Sequence, residues 1–131
     1  DYTDLASPDA RVSRLIELLG SEIDKYVLVG SSMGGYVSLV AAAAKSVTPQ
    51  GLFLMAPALY MRGYEEEEYA TELPITEIIH GWSDDVVLPD YSMRYAKRAR
   101  CSLHLIDGNH GLNSSLDVVG DLFRHFLLRV G

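Results

Sequence analysis

A single cysteine, Cys101, stands in 131 residues, so the chain has no internal disulfide and suits a reducing compartment. No apolar run approaches the roughly 18 residues of a membrane span. The opening residues Asp1-Tyr2-Thr3-Asp4 carry neither the basic nor the apolar stretch of a secretion signal. Metal-binding spacings are also missing. The four histidines are dispersed, and neither C-x-x-C nor H-E-x-x-H occurs. Basic residues are scarce: 11 Lys and Arg face 18 Asp and Glu, for a net charge of −7. That balance repels nucleic-acid phosphates and an anionic membrane surface. These absences predict a cytoplasmic protein with neither nucleic acid nor membrane as partner, and they are compatible with a homo-oligomer.

What remains is ordinary for a globular chain, with 48% hydrophobic and 22% charged residues and enough length for one cored domain spanning 1–131. Ser7-Pro8-Asp9 is a helix start: Ser7 caps, Pro8 takes the first helical position, and Asp9 meets the positive end of the dipole. Val12, Leu15, Ile16, Leu18 and Leu19 recur at helical spacing, which predicts an amphipathic helix over 8–19 ending at Gly20. Strands are predicted at 26–30, 52–55, 74–80 and 101–106, and further helices at 33–45, 91–100 and 116–130. The strand at 52–55 is a continuous apolar run, the mark of a strand covered on both faces of a parallel sheet. Alternating strands and helices predict an α/β chain, a three-layer α/β/α sandwich with a mainly parallel sheet. Residues 59–74 differ in kind. Tyr60, Met61, Tyr64 and Tyr69 alternate with Arg62 and the run Glu65 to Glu68, a short lid segment in one reading and a solvated acidic loop in the other.

Between the strand at 26–30 and the alanine-rich helix lies Gly30-Ser31-Ser32-Met33-Gly34, a G-x-S-x-G pattern centred on Ser32. Such a stretch turns sharply from strand to helix and lifts one hydroxyl out at the tip. Residues two places either side of the serine must be nearly free of side chain, a demand Gly30 and Gly34 meet. Ser31 would need small residues at Val29 and Met33, so Ser32 is the candidate nucleophile.

A serine hydroxyl needs an imidazole to take its proton, and that imidazole needs a carboxylate to hold its tautomer. Ligands of parallel sheets bind beyond the carboxyl ends of the strands. Three polar loops fall there, carrying Ser32, Asp84 and His110 in that order. Asp85 and Asp90 compete with Asp84 as the acid. Among the other histidines, His104 sits inside a predicted strand, His125 lies in the last helix, and His80 shapes its loop by hydrogen bonding.

G-S-S-M-G-G, H-G-W-S-D-D-V-V-L-P and G-N-H-G, at residues 30–35, 80–89 and 108–111, together resemble the α/β-hydrolase family. The likeness is nearest to its small, nearly cap-less bacterial esterase-like members. The resemblance implies Ser32 as nucleophile, Asp84 rather than its neighbour as acid, His110 as base, and the backbone N–H of Met33 as an oxyanion-hole donor. It further implies a serine hydrolase that cleaves a small ester or thioester through an acyl-enzyme, with no metal or organic cofactor. Trp82 and Tyr36 are candidate substrate contacts. Acyl transfer or peptide hydrolysis on the same residues, and a non-catalytic binding role, are the alternatives. Members of the family usually carry an earlier strand ending in His-Gly, which has no counterpart in these 131 residues. The expectation is a hydrolase fold without its N-terminal strands, the C-terminal portion of a longer chain, whose 26–30 strand has one apolar edge uncovered.

Overall fold

The computed structural model describes residues 7–19, 25–44, 46–66 and 68–131. Helix α1, Pro8–Leu19, begins where the capping pattern places it: the Ser7 hydroxyl accepts from the Asp9 and Ala10 N–H groups. Its expected stop, Gly20, lies outside the described residues, as do Asp1 to Asp4, Lys45 and Glu67. Strand β1 is Leu28–Ser31, α2 Met33–Ala42, β2 Gly51–Met55, β3 Ile75–Gly81, α3 Pro89–Ala99, β4 Ser102–Ile106 and α4 Leu116–Val130. β1 thus sits slightly later than the apolar run suggests. Val27 still packs inward, but pairing with β2 starts only where Leu28 meets Leu52.

The strands form one parallel sheet in the order β1-β2-β3-β4. Side-chain alternation divides the core in two. Leu28, Leu52, Leu54, Ile78 and Leu103 face α1, α2 and α3, while Phe53, Met55, Ile75, Ile79 and Ile106 face Phe123 and Phe126 of α4. This is the three-layer α/β/α arrangement. β1 forms one edge of the sheet, pairing only with β2 among the described residues, and its Val29 is 47% exposed. Among the described residues no helix is long and apolar enough to cross a membrane.

No helix links β2 to β3 in the described residues. The tyrosines of 59–74 do the packing instead. Tyr64 and Tyr69 stand edge-on to Tyr36 of α2, and Tyr69 also meets Tyr60 and Tyr95. The Tyr95 hydroxyl donates to the Ala70 carbonyl. Swinging this segment as a lid would break these contacts. Tyr36 and Tyr95 are almost wholly buried, and burial pushes both phenols well above their ordinary value.

A group whose pKa is raised by folding stabilises fully below its unfolded value and loses that contribution as pH rises through the folded one. Stability is therefore expected to fall above the ordinary phenol value of 10.0. The slope is about 1.4 kcal/mol per pH unit for each such tyrosine. Urea midpoints measured across that range check it: a Tyr36→Phe, Tyr95→Phe variant with the same alkaline slope as the parent would count against it.

Candidate active site

The turn from β1 into α2 holds Ser32 at φ 54°, ψ −119°, a region that costs a non-glycine residue about 1–3 kcal/mol. Hydrogen bonds fix it there. The Ser32 N–H donates to the Met55 carbonyl at 2.9 Å, and the Ser32 carbonyl accepts from the N–H groups of Gly35, Tyr36 and Ala58. A side chain at Gly30 would press its Cβ to 2.6 Å from the Gly34 carbonyl carbon and 2.8 Å from the Gly35 nitrogen, so this glycine is sterically required. The expected need at Gly34 is corrected: a Cβ there meets nothing within 4 Å. The requirement falls instead on Gly35, where a Cβ would lie 2.7 Å from the Pro57 Cβ. Met33 opens α2, so its N–H has no acceptor within the helix and is available at the positive end of the dipole.

Asp84 stands on the turn after β3, 3% exposed. Its Oδ1 accepts from the N–H groups of Val86 and Val87, each at 2.9 Å. Its Oδ2 lies 2.8 Å from Nδ1 of His110. Burial pushes this carboxyl up, but the bonds from His110, Val87 and Val86 together outweigh it, so the group sits below its ordinary value and stays ionised. Asp85 and Asp90, the competing acids, are both exposed and neither bonds His110.

His110 follows β4. Two backbone bonds clip its loop to the acid's loop: Trp82 N–H to the Ile106 carbonyl and Ser83 N–H to the Gly108 carbonyl, both at 2.9 Å. The two loops approach so closely at Gly81 that a Cβ there would sit 2.7 Å from the Gly108 carbonyl carbon. The His110 Nε2 lies 2.9 Å from the Ser32 Oγ. With Nδ1–H given to Asp84, a neutral ring has its lone pair on Nε2, facing the serine hydroxyl. Three side chains from three strand ends thus meet in one hydrogen-bonded line.

The other predicted residues are placed differently. Trp82 is 58% exposed on the turn leading to Asp84. Tyr36, a candidate substrate contact, is buried in the core instead, its hydroxyl shared between the Asp9 carboxylate and the Glu66 N–H. Its place on the inner face of α2 leaves no surface for a ligand. His104 bonds Glu77, which also pairs with Arg129 on the α4 side of the sheet, and His125 is exposed. Cys101 is half-buried just before β4, where burial pushes its thiol up. Among the described residues no group of three His, Cys, Asp or Glu side chains converges to hold a metal ion. Sequence reading missed the reach of His80, whose ring nitrogen lies 3.1 Å from the Asp84 carboxylate.

No family model and no curated protein sequence matches the chain. Solved structures do. A protein assigned to the alpha/beta hydrolase superfamily from Xanthomonas campestris pv. campestris superposes with a TM-score of 0.84 at 27% identity, over 98% of this chain and 79% of that one. Est1E from Butyrivibrio proteoclasticus gives 0.74 at 17% identity, over 95% and 71%. Zea mays acyl-protein thioesterase 2 gives 0.68 at 16% identity, over 95% and 65%. The last two likenesses concern the fold alone. With the parallel sheet and its layers already in place, the Xanthomonas likeness over nearly the whole chain identifies the architecture: this chain has the α/β-hydrolase fold.

Proposed function

We propose that the chain is a serine hydrolase that cleaves a small carboxylic ester or thioester through an acyl-enzyme. The observation carrying this reading is the line from Ser32 Oγ to His110 Nε2 at 2.9 Å and from His110 Nδ1 to Asp84 Oδ2 at 2.8 Å. Ser32 Oγ attacks the substrate carbonyl while His110 Nε2 takes its proton. The carbonyl π pair moves to oxygen, and the Met33 N–H steadies that oxyanion. Collapse expels the alcohol or thiol, which leaves with the proton from His110. Water then attacks the acyl-enzyme with the same histidine as base, releasing the acid and restoring Ser32. Asp84 keeps the proton on Nδ1 throughout and balances the imidazolium.

No cofactor enters this chemistry. Trp82, exposed beside the acid's turn, is the side chain proposed to touch the acyl substrate. A cytoplasmic setting belongs to the same proposal, as the lone half-buried thiol accords with reducing surroundings. Acyl transfer would use the same residues and differ only in the acceptor that replaces water.

A fluorophosphonate probe tests the reading. The parent chain is expected to label once and to show a burst with a short-chain nitrophenyl ester, while Ser32→Ala does neither. Labelling that survives in Ser32→Ala would put the reactive nucleophile elsewhere and overturn the role of Ser32, and a folded parent that never labels would leave a binding protein on a hydrolase fold.

A further inference from the structure

A second histidine grips the acid from behind. His80, near the end of β3, is wholly buried, with both ring nitrogens engaged. Its Nε2 lies 2.7 Å from the Val87 carbonyl oxygen and 3.1 Å from Asp84 Oδ2. Both neighbours are acceptors, so Nε2 carries a hydrogen. The other nitrogen, Nδ1, is 2.7 Å from the hydroxyl of Ser92, itself wholly buried on α3. That hydroxyl can donate to Nδ1 and so holds the neutral ring in the Nε2–H tautomer.

We propose that His80 is a positioning residue for the acid, with Ser92 as the group that fixes its tautomer. The proposal rests on reading Ser32, His110 and Asp84 as a catalytic triad. Val87 is the link. Its N–H donates to Asp84 Oδ1 while its carbonyl receives the His80 Nε2–H, so both of its backbone polar groups are tied. His80 thereby fixes the backbone that fixes one carboxylate oxygen. Its Nε2–H dipole also passes beside the other oxygen, the one that faces His110. A histidine that merely filled the core would be satisfied by Ser92 and Val87 alone. The approach to Oδ2 goes beyond that need and sets the direction in which the carboxylate meets His110.

Three variants of the full chain test this: His80→Leu, which removes all three polar contacts of the ring; His80→Gln, whose amide can still donate near the Nε2 position; and Ser92→Ala. Two readouts follow each, the acylation burst with a nitrophenyl ester and the downfield proton resonance of His110 Nδ1–H. His80→Leu is expected to lower the acylation rate by about ten- to a hundredfold with KM little changed, and to broaden or lose the resonance. His80→Gln should recover most of the rate and the resonance. Where the leucine variant does not fold, Ser92→Ala decides: about a three- to tenfold slower burst with a shifted resonance supports the proposal. Folded variants that acylate at the parent rate with an unmoved resonance overturn it, leaving His80 a core residue. A parent chain with no burst at all fails differently, since it removes the triad reading on which this one stands.

Discussion

On the proposed serine-hydrolase mechanism, Asp84→Asn is expected to lower kcat by about 10⁴-fold while leaving the fold in place. The reason lies in which way the new amide must point. Two backbone donors, Val86 N–H and Val87 N–H, converge on the Oδ1 position at 2.9 Å. Only the amide oxygen can accept both, so the amide nitrogen falls where Oδ2 was, 2.8 Å from His110 Nδ1. An NH₂ group there donates, and the ring answers by leaving Nδ1 bare and carrying its proton on Nε2. That nitrogen, 2.9 Å from the Ser32 hydroxyl, then has no lone pair to take the serine proton. The geometry is kept and the chemistry is lost. Steady-state hydrolysis of a nitrophenyl ester, with circular dichroism to verify folding, measures it. A folded variant within tenfold of the parent would mean that Asp84 does not set the histidine tautomer. His80 loses one of its two acceptors in this variant, but the Val87 carbonyl remains to it.

How the chain displays this arrangement differs from one residue to the next. The positions of Ser32, Asp84 and His110 could be read because strand ends are marked by abrupt changes in composition, and a parallel sheet gathers its carboxyl ends on one side. The choice between Asp84 and Asp85 could not be made from spacing. It is decided by the turn after β3, which buries one carboxylate under the Val86 and Val87 N–H groups and turns its neighbour to water. Gly34 and Gly35 show the same limit. The pattern asks for a small residue at the first, but Pro57, from the loop after β2, presses on the second. No local rule says where a residue some twenty places away will pack. Tyr36 is a candidate ligand contact in the sequence, yet the helical turn carries it round to the core, among Tyr64 and Tyr69. The aromatic run of 59–74, ambiguous as a string, takes the place of a crossover helix. His80 is visible in the sequence as a residue that shapes a loop, but its partner Ser92 sits on α3, and only helix-on-sheet packing brings the two together.

The close backbone approaches set apart glycines that look alike in sequence. Gly81→Ala and Gly30→Ala are each expected to destabilise the chain by about 4 kcal/mol or more, a large part of a total that runs to roughly 5–15 kcal/mol. At both positions the obstacle is backbone, which cannot swing aside as a side-chain tip can. The Gly81 Cβ would meet the Gly108 carbonyl carbon at 2.7 Å and the Asn109 oxygen at 2.9 Å. Relief requires parting the two loops, which would stretch the clips from Trp82 and Ser83 and draw His110 away from Asp84 and Ser32. A shift of about 1 Å there is enough to cost some hundredfold in rate, so any Gly81→Ala protein that does fold should still be slow. At Gly30 the added carbon strikes the first turn of α2, and the Ser32 turn itself must open. Gly34→Ala is the internal control: with open space around it and a helical backbone, it should be neutral or stabilise by up to about 1 kcal/mol. Urea unfolding of the three variants side by side separates these outcomes. Gly30→Ala or Gly81→Ala with a parental midpoint, or Gly34→Ala as damaging as either, would show that the two loops and the serine turn do not meet as closely as the backbone places them.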